Sequence, residues 1–311
     1  MERTRLGSTD IQVSRVGFGG CPMGGHGWGE VEDGLVQNAI HAAVDRGVNF
    51  FDVADVYGLG HSEEILGEVL SPQRSNVVVA TKFGVVVGAA GKSSYDSRPA
   101  WILKAVDQSL KRLKTDYIDL YQLHYWDGET PFDDIFDCLD RLRELGKIRC
   151  FGICNTGFAQ LGLEHIRSLT AYSFEFSLAQ PKHHSEIALF RERSAASFLS
   201  WGTLGQGILS GKYRREGGFG TDDRRSRVEY TNFHGEGFER SMRILKRMES
   251  VGLQAGGRSL HEIAIRWVLD SCLGSIALVG MKNPDQVRKN LRALTWSLPE
   301  ELILELNAAV Y

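Results

Sequence analysis

Asn49-Phe50-Phe51-Asp52-Val53 is an apolar run of strand length that ends around a carboxylate, and beyond Tyr57-Gly58-Leu59-Gly60 the pattern changes to helical period over Ser62 to Leu70. A strand leading directly into an amphipathic helix is one half of a crossover unit. The same change of period recurs along the chain. Strands are expected at Val16 to Phe18, Asn49 to Val53, Asn76 to Lys82, Tyr117 to His124, Ile148 to Ile153, Ala171 to Phe176, Ser197 to Trp201 and Ser275 to Val279. Helical patterns are expected at Glu32 to Arg46, Ser62 to Leu70, Pro99 to Leu113, Pro131 to Leu145, Ala159 to Leu169, Glu186 to Ala195, Gly257 to Cys272 and Pro284 to Leu294. Pro99 and Pro131 suit first helical turns, and Gly47 and Gly146 suit C-terminal caps.

Strict alternation of the two element types implies parallel strands joined by helices. Val77 to Ala80 and Ile118 to Leu123 are apolar nearly throughout, as strands are when helices cover one face and other strands fill the space behind. Eight such units in 311 residues predict a closed (β/α)8 TIM barrel rather than an open sheet. Arg5-Leu6-Gly7 to Gln12-Val13, with turn residues between, reads as a hairpin that plugs one end. Neither a linker nor a repeat interrupts the pattern, so residues 1–311 are expected to form one domain.

With 36 basic and 39 acidic side chains, a net charge of -3 and 42% hydrophobic residues, the composition excludes disorder, collagen and a basic nucleic-acid-binding domain. Lys82 interrupts the longest apolar run, Val77 to Ala90, below the ~18 residues of a membrane span. The opening MERTRLGSTD has no apolar signal region, and five scattered cysteines form no CxxC pair, which together predict a reduced, cytoplasmic protein. Adjacent His183 and His184 point differently, and no metal site is expected. Gly91-Lys92-Ser93 resembles the end of a P-loop, but the first glycine is replaced by Val86.

Four strand ends carry polar residues that are costly to bury: Asp52, Lys82, His124 and Asn155. In a parallel barrel these ends share one mouth, so groups about 30 to 40 residues apart in sequence converge. Tyr57 follows Asp52 closely. A phenol is ordinarily a weak acid, and an ammonium paired with a carboxylate stabilises its phenolate. Lys82 with Asp52 is therefore predicted to make Tyr57 acidic enough for general acid catalysis.

These residues resemble the aldo-keto reductase superfamily. The resemblance runs from Leu6-Gly7-Ser8-Thr9 through Asn49-Phe50-Phe51-Asp52-Val53-Ala54, Tyr57-Gly58, Thr81-Lys82, Asp119-Leu120-Tyr121-Gln122-Leu123-His124 and Gly146-Lys147-Ile148-Arg149 to Asn290. It implies an eightfold barrel holding a nicotinamide dinucleotide at its mouth, with Asp52, Tyr57, Lys82 and His124 in the catalytic positions. The implied reaction is reversible hydride transfer between the dinucleotide and a carbonyl. Tyr57 would supply the proton, His124 would orient the carbonyl, and Asp52 with Lys82 would tune the phenol.

The resemblance also assigns cofactor contacts. Cys154, Asn155 and Ser173 fall where the carboxamide is held, with Cys154 and Ser173 departing from the usual residue types; Gln180 lies seven residues beyond Ser173 and is left out of the set. Trp201 takes the position of the aromatic that stacks on the nicotinamide, and Leu204, Gln206 and Gly207 lie where backbone amides approach the pyrophosphate. Gly280, Lys282, Gln286 and Asn290 match the adenosine end, at a helix N-terminus suited to anions. Gln286 replaces an arginine that many members use, while Lys282 is placed to neutralise a 2'-phosphate. NADPH is the expected cofactor, with NADH the alternative.

Substrate choice is expected from Gly24 to Gly29, Gly84 to Ser97, Tyr125-Trp126-Asp127 and Arg214 to Gly237, with Trp28 and Trp126 as pocket walls. Arg214, Arg215, Arg224, Arg225 and Arg227 are either phosphate contacts or solvated loop residues. The expected partner is a small carbonyl compound or sugar, with neither nucleic acid nor membrane, and both monomer and homo-oligomer are compatible with the sequence. The same fold also implies two alternatives, a nucleotide-binding regulatory subunit resembling the potassium-channel β proteins and a nucleotide-sugar reductase or epimerase. The barrel pattern starts within the first few residues, without a long partner-binding extension, which favours the free enzyme.

Overall fold

The computed structural model describes residues 1–88 and 91–310. Eight strands, β1 (Val16–Gly19), β2 (Phe50–Asp52), β3 (Val78–Phe83), β4 (Ile118–Leu123), β5 (Ile148–Cys154), β6 (Ala171–Glu175), β7 (Ser197–Trp201) and β8 (Ile276–Gly280), close into a barrel. Every neighbouring pair is parallel, and β8 closes on β1 with Ala277 opposite Val16 and Gly280 opposite Gly19. The expected eight strands are thus present, with ends shifted by one or two residues.

The two-residue period of each strand sorts its side chains. Phe50, Val78, Ala80, Leu120, Cys150, Ala171, Leu199, Ile276 and Leu278 pack together inside the barrel with Leu6 and Val13 of the N-terminal hairpin. Their neighbours Phe51, Val79, Tyr121, Phe151, Tyr172 and Phe198 face outward into the layer beneath the helices. Two residues on from the interior set, or four in the case of Cys154, the same parity places Asp52, Lys82, Gln122, Cys154, Ser173 and Trp201 above the apolar layer. Lys82 is in register with Gln122, Asp52 with Ala80, and Ser173 with Cys154.

The helices are α1 (Asp33–Asp45), α2 (His61–Leu70), α3 (Pro99–Leu113), α4 (Phe132–Glu144), α5 (Leu163–Ser168), α6 (His184–Arg193), α7 (Gly235–Gln254), α8 (Leu260–Ser271), α9 (Pro284–Leu291) and α10 (Glu300–Val310). Pro99 opens α3 as expected, whereas Pro131 sits one position earlier, as the N-cap of α4. Gly47 and Gly146 have φ of 83° and 72°, the left-handed conformation glycine allows beyond a helix end.

Three corrections follow. The pattern read as one helix over Ala159 to Leu169 is a 3-10 turn, Phe158–Gln160, followed by the short α5. The segment read as a loop from Gly84 to Ser97 contains an antiparallel hairpin, Val85–Val87 with Ser93–Tyr95; positions 89 and 90 lie outside the described residues. Helices α7 and α10 have no counterpart in the expected pattern, and α7 starts within the expected loop Arg214 to Gly237. The apolar side of α7, Phe238, Ile244, Leu245, Met248 and Val251, is buried.

The opposite end of the barrel is closed by the hairpin Arg3–Arg5 with Gln12–Ser14. Gly7 N donates to Ser197 Oγ at 2.8 Å, and that hydroxyl donates to Arg5 O at 3.1 Å. Buried Arg266 of α8 holds the same end by pairing with Glu2 at 2.7 Å and with Asp270. Among the described residues no helix is long and apolar enough to cross a membrane.

Candidate active site

At the C-terminal ends of the strands opens a cavity of about 780 Å³. Asp52, Tyr57, Lys82 and His124 line it, as do Cys154, Asn155, Ser173, Trp201, Leu204, Gln206, Gly207, Gly280, Lys282, Gln286 and Asn290. Gln180 lines it as well.

Its floor is a buried ion pair. Lys82 Nζ donates to Asp52 Oδ1 at 2.6 Å and to Val53 O at 2.7 Å, with side-chain exposures of 4% and 5% for Lys82 and Asp52. The second carboxylate oxygen of Asp52 accepts from Gln122 Nε2 at 3.2 Å, and Gln122 Oε1 in turn accepts from Cys154 Sγ at 3.6 Å. Gln122 is the residue that sequence reasoning missed. Its signal was parity, since it lies two residues from Leu120 and two from His124. A buried charge persists when paired and hydrogen-bonded on its remaining valences, and this network does both.

Tyr57 leans over that pair. Lys82 Nζ lies 5.2 Å from the centre of the Tyr57 ring, and the His124 ring meets Tyr57 edge to face at 5.8 Å. The turn carrying Tyr57 is fixed by backbone contact. Gly58, Leu59 and Gly60 all have positive φ, and a Cβ on Gly58 would stand 2.7 Å from the Gly24 backbone. A Cβ on Gly24 would stand 2.5 Å from Gly58 N, so the two turns touch without side chains between them.

Burial pushes the Tyr57 phenol well above its ordinary value, with Cys21, Asp52 and Cys154 adding to the rise. This runs against the expectation that Lys82 and Asp52 make the phenol more acidic: removing a phenolate from water is the largest cause of the shift. Tyr57 is therefore held protonated. His124 shifts the other way, well below 6.5, through burial first and Lys82 second, so the imidazole is neutral and one ring nitrogen is free to donate. Its Nδ1 is buried with no hydrogen-bond partner. Tyr125 stacks on His124 at 5.0 Å, and Tyr95 of the 93–95 strand stacks on Tyr125 at 5.1 Å, fixing the plane of the imidazole.

The rest of the cavity has two chemically distinct ends. Near His124, Asn155 Nδ2 donates to His124 O at 3.2 Å, and the buried Ser173 Oγ has no hydrogen-bond partner. At the other end Lys212, Arg224, Arg225 and Lys282 gather on the wall. Burial lowers the Lys282 ammonium, and Arg225 and Lys212 lower it further, as expected for cations brought together. A buried hydroxyl without a partner at Ser173 and a gathering of cations elsewhere on the wall fit the carboxamide and the phosphates of a dinucleotide.

Several residues are already engaged. Lys282 Nζ donates to Trp28 O at 2.9 Å and Glu30 O at 3.5 Å, tying the Gly24 to Gly29 loop across the mouth. Gln286 Oε1 accepts from Lys282 N at 2.8 Å, while Asn283 caps α9 by accepting from Gln286 N at 2.9 Å. Gln206 Nε2 donates to Glu175 Oε1 at 2.8 Å, and Gly207 N donates to Leu204 O at 3.0 Å within its own turn.

The loop residues divide. Trp28 lines the cavity and meets Tyr230 edge to face at 6.0 Å. Trp126 does not line it: the ring packs 4.9 Å from Phe132 and its Nε1 donates to Thr130 O at 2.8 Å, so the expected second wall is a packing residue. Arg224 and Arg225 line the cavity. Arg214, Arg215 and Arg227 do not, and Arg214 pairs with Glu249 at 2.6 Å.

A closed parallel barrel with a Lys–Asp pair, a tyrosine and a histidine at its mouth defines the aldo-keto reductases, and the Aldo/keto reductase family model matches residues 15–310. The chain belongs to that family, whose members are oxidoreductases using a nicotinamide dinucleotide. It is 31% identical over 304 residues to the aldo-keto reductase YhdN of Bacillus subtilis, covering 97% of this chain and 91% of that one. It is 28% identical over 305 residues to the aldo-keto reductase yakc [NADP(+)] of Schizosaccharomyces pombe, covering 96% and 88%. Among solved structures, the glycerol dehydrogenase AKR11B4 from Gluconobacter oxydans superposes with a TM-score of 0.89 at 35% identity, over 99% of this chain and 94% of that one.

Proposed function

We propose that the protein, as one domain over residues 1–311, is an NADPH-dependent reductase of small aldehydes or ketones that also oxidises the corresponding sugar or polyol alcohol. The observation that carries this reading is the buried Lys82–Asp52 pair at 2.6 Å set beneath Tyr57 and His124. The polyol direction is supported by likeness to a glycerol dehydrogenase, and NADPH by likeness to a relative named for NADP(+).

When bound, the reduced dinucleotide supplies the hydride. Ser173 and Asn155 would hold the carboxamide, Trp201 would offer a face for stacking, and Lys212, Arg224, Arg225 and Lys282 would meet the phosphates. Neutral His124 donates a hydrogen bond to the carbonyl oxygen and fixes its position. As negative charge develops on that oxygen, Tyr57 gives it the phenolic proton. The phenolate left behind faces the Lys82 ammonium, whose charge Asp52 holds in place. A high phenol pKa suits this role, because the residue stays loaded with its proton until an alkoxide of still higher basicity forms beside it. Cys154 contributes bulk and a weak hydrogen bond; burial pushes its thiol up to about 12. Five free cysteines suit a reducing, cytoplasmic setting.

The test is Tyr57→Phe. Tryptophan fluorescence should report unchanged NADPH binding, while oxidation of NADPH at 340 nm with a panel of aldehydes, ketones and ketoses should fall by about 10²- to 10⁴-fold, the usual worth of a general acid. Turnover near wild type in this variant would overturn the reading.

A further inference from the structure

Asp52 and Tyr57 face the cavity, but Asp55, on the same turn, is absent from its wall. Its surroundings lie on the outer side of the barrel. Glu63 of α2 accepts from Thr81 Oγ1 at 2.6 Å and from Arg112 Nε of α3 at 2.6 Å, so each of its carboxylate oxygens has a partner. Arg112 gives its Nε to Glu63, and its Nη2 lies 3.5 Å from Ser109 Oγ. Its stem lies against the turn, where a Cβ on Gly60 would stand 2.7 Å from Arg112 Cδ. Asp55 Oδ1 is buried without a hydrogen-bond partner, and so is the hydroxyl of Tyr121 on β4. Two carboxyl groups thus lie near one guanidinium, which hydrogen-bonds Glu63 and acts on Asp55 by its charge.

Asp55 is half-buried, and a carboxyl with one oxygen buried and unpartnered favours the neutral acid over the anion. The titratable and charged groups facing Asp55 are Glu63 from α2, Arg112 from α3, Tyr121 from β4 and Lys82 from β3, with the Val56 amide on its own turn. Burial raises the Asp55 carboxyl to about 8, Glu63 adds to the rise, and Arg112, Val56 and Lys82 oppose it.

Building on the reductase reading above, we propose that Asp55 is a positioning residue for Tyr57: as the neutral acid it lets the turn seat against the barrel wall, and as the anion it draws the turn outward. Tyr57 lies two residues on, before three successive left-handed residues, so outward movement of Asp55 takes the phenol out of line with Lys82 and His124. The substrate-binding groups, including His124 and its stacked partners, lie on other elements and stay in place. The consequence is a loss of kcat with rising pH and little change in KM.

Asp55→Asn preserves shape and removes the ionisation. In protein carrying ¹³C-labelled aspartate, one carboxyl resonance should titrate with its midpoint near 8 and be missing from Asp55→Asn. At saturating NADPH the wild-type kcat should fall about tenfold per pH unit above that midpoint, as for loss of one essential proton. Asp55→Asn should hold its kcat across the same range, with KM within about twofold of wild type. The same alkaline decline in both proteins, or no carboxyl titrating near 8 in the wild type, overturns the proposal while leaving the role of Tyr57 intact. A wild type that turns over no carbonyl compound, with the carboxyl titrating as described, overturns the reductase reading and this role with it.

Discussion

Lys82→Met isolates the worth of the floor of the site. The substitution leaves Asp52 buried, with 5% of its side chain exposed and a single bond from Gln122 at 3.2 Å in place of the bond at 2.6 Å to an ammonium. Val53 O loses its side-chain donor as well. Removing one partner of a buried pair costs about 3 to 5 kcal/mol, because the other charge remains desolvated. An unfolding entropy of about 2.1 cal/mol/K per residue, over 311 residues, makes each kcal/mol worth roughly 1.5 °C, so Tm should drop by about 5 to 8 °C. Circular dichroism melting at pH 7 measures the drop. The double variant Lys82→Met with Asp52→Asn removes the stranded charge and should regain at least half of it. A single variant within about 2 °C of wild type, or a double variant melting as low as the single, would refute the account of Asp52 as a charge that depends on Lys82.

Gly24→Ala places a methyl group 2.5 Å from Gly58 N, where only backbone lies, so the Tyr57 turn must lift. Turnover should fall by about tenfold or more, with stability down by about 1 to 3 kcal/mol; parallel kinetics and melting check it, and wild-type kcat would show that the contact is loose. Lys282→Met removes the ammonium that bonds Trp28 O and Glu30 O. Under the proposed function the same ammonium meets a cofactor phosphate, and losing a charged hydrogen bond of about 1.5 to 3 kcal/mol made on binding should weaken NADPH binding at least about tenfold in a fluorescence titration. An unchanged Kd would mean that Lys282 makes no bond to the cofactor.

The barrel was legible because the strands are short, largely apolar runs and the helix that follows each changes the period. The convergence of Asp52, Lys82 and His124 followed from topology alone, since parallel strands end at one mouth. Helix α7 was legible in principle from Phe238, Ile244, Leu245, Met248 and Val251, but a template of one helix per strand leaves it no place. The hairpin carrying Tyr95 was hidden because Val85 to Val87 reads as the tail of the preceding apolar run. Two properties of the site were not legible. The direction of the Tyr57 shift depends on how much water the fold removes, and burial is a tertiary quantity with no signature in spacing. Trp28 and Trp126 look alike in the chain; which one lines the cavity is decided by Phe132 and Thr130, which take Trp126 into the packed layer.

The N-terminal hairpin and Arg266 seal the end of the barrel remote from the chemistry, and none of residues 1–14 reaches the cavity wall. The sealed pole therefore adds to endurance without touching the cavity, alongside the share of stability that the Lys82–Asp52 floor contributes at the open one. A more robust variant can be sought by hardening the sealed pole, for instance around Gly7, Ser197 and Glu2, with rate constants as a bystander measurement. Substrate range can be redrawn at the open pole without loosening the cap that keeps the staves together.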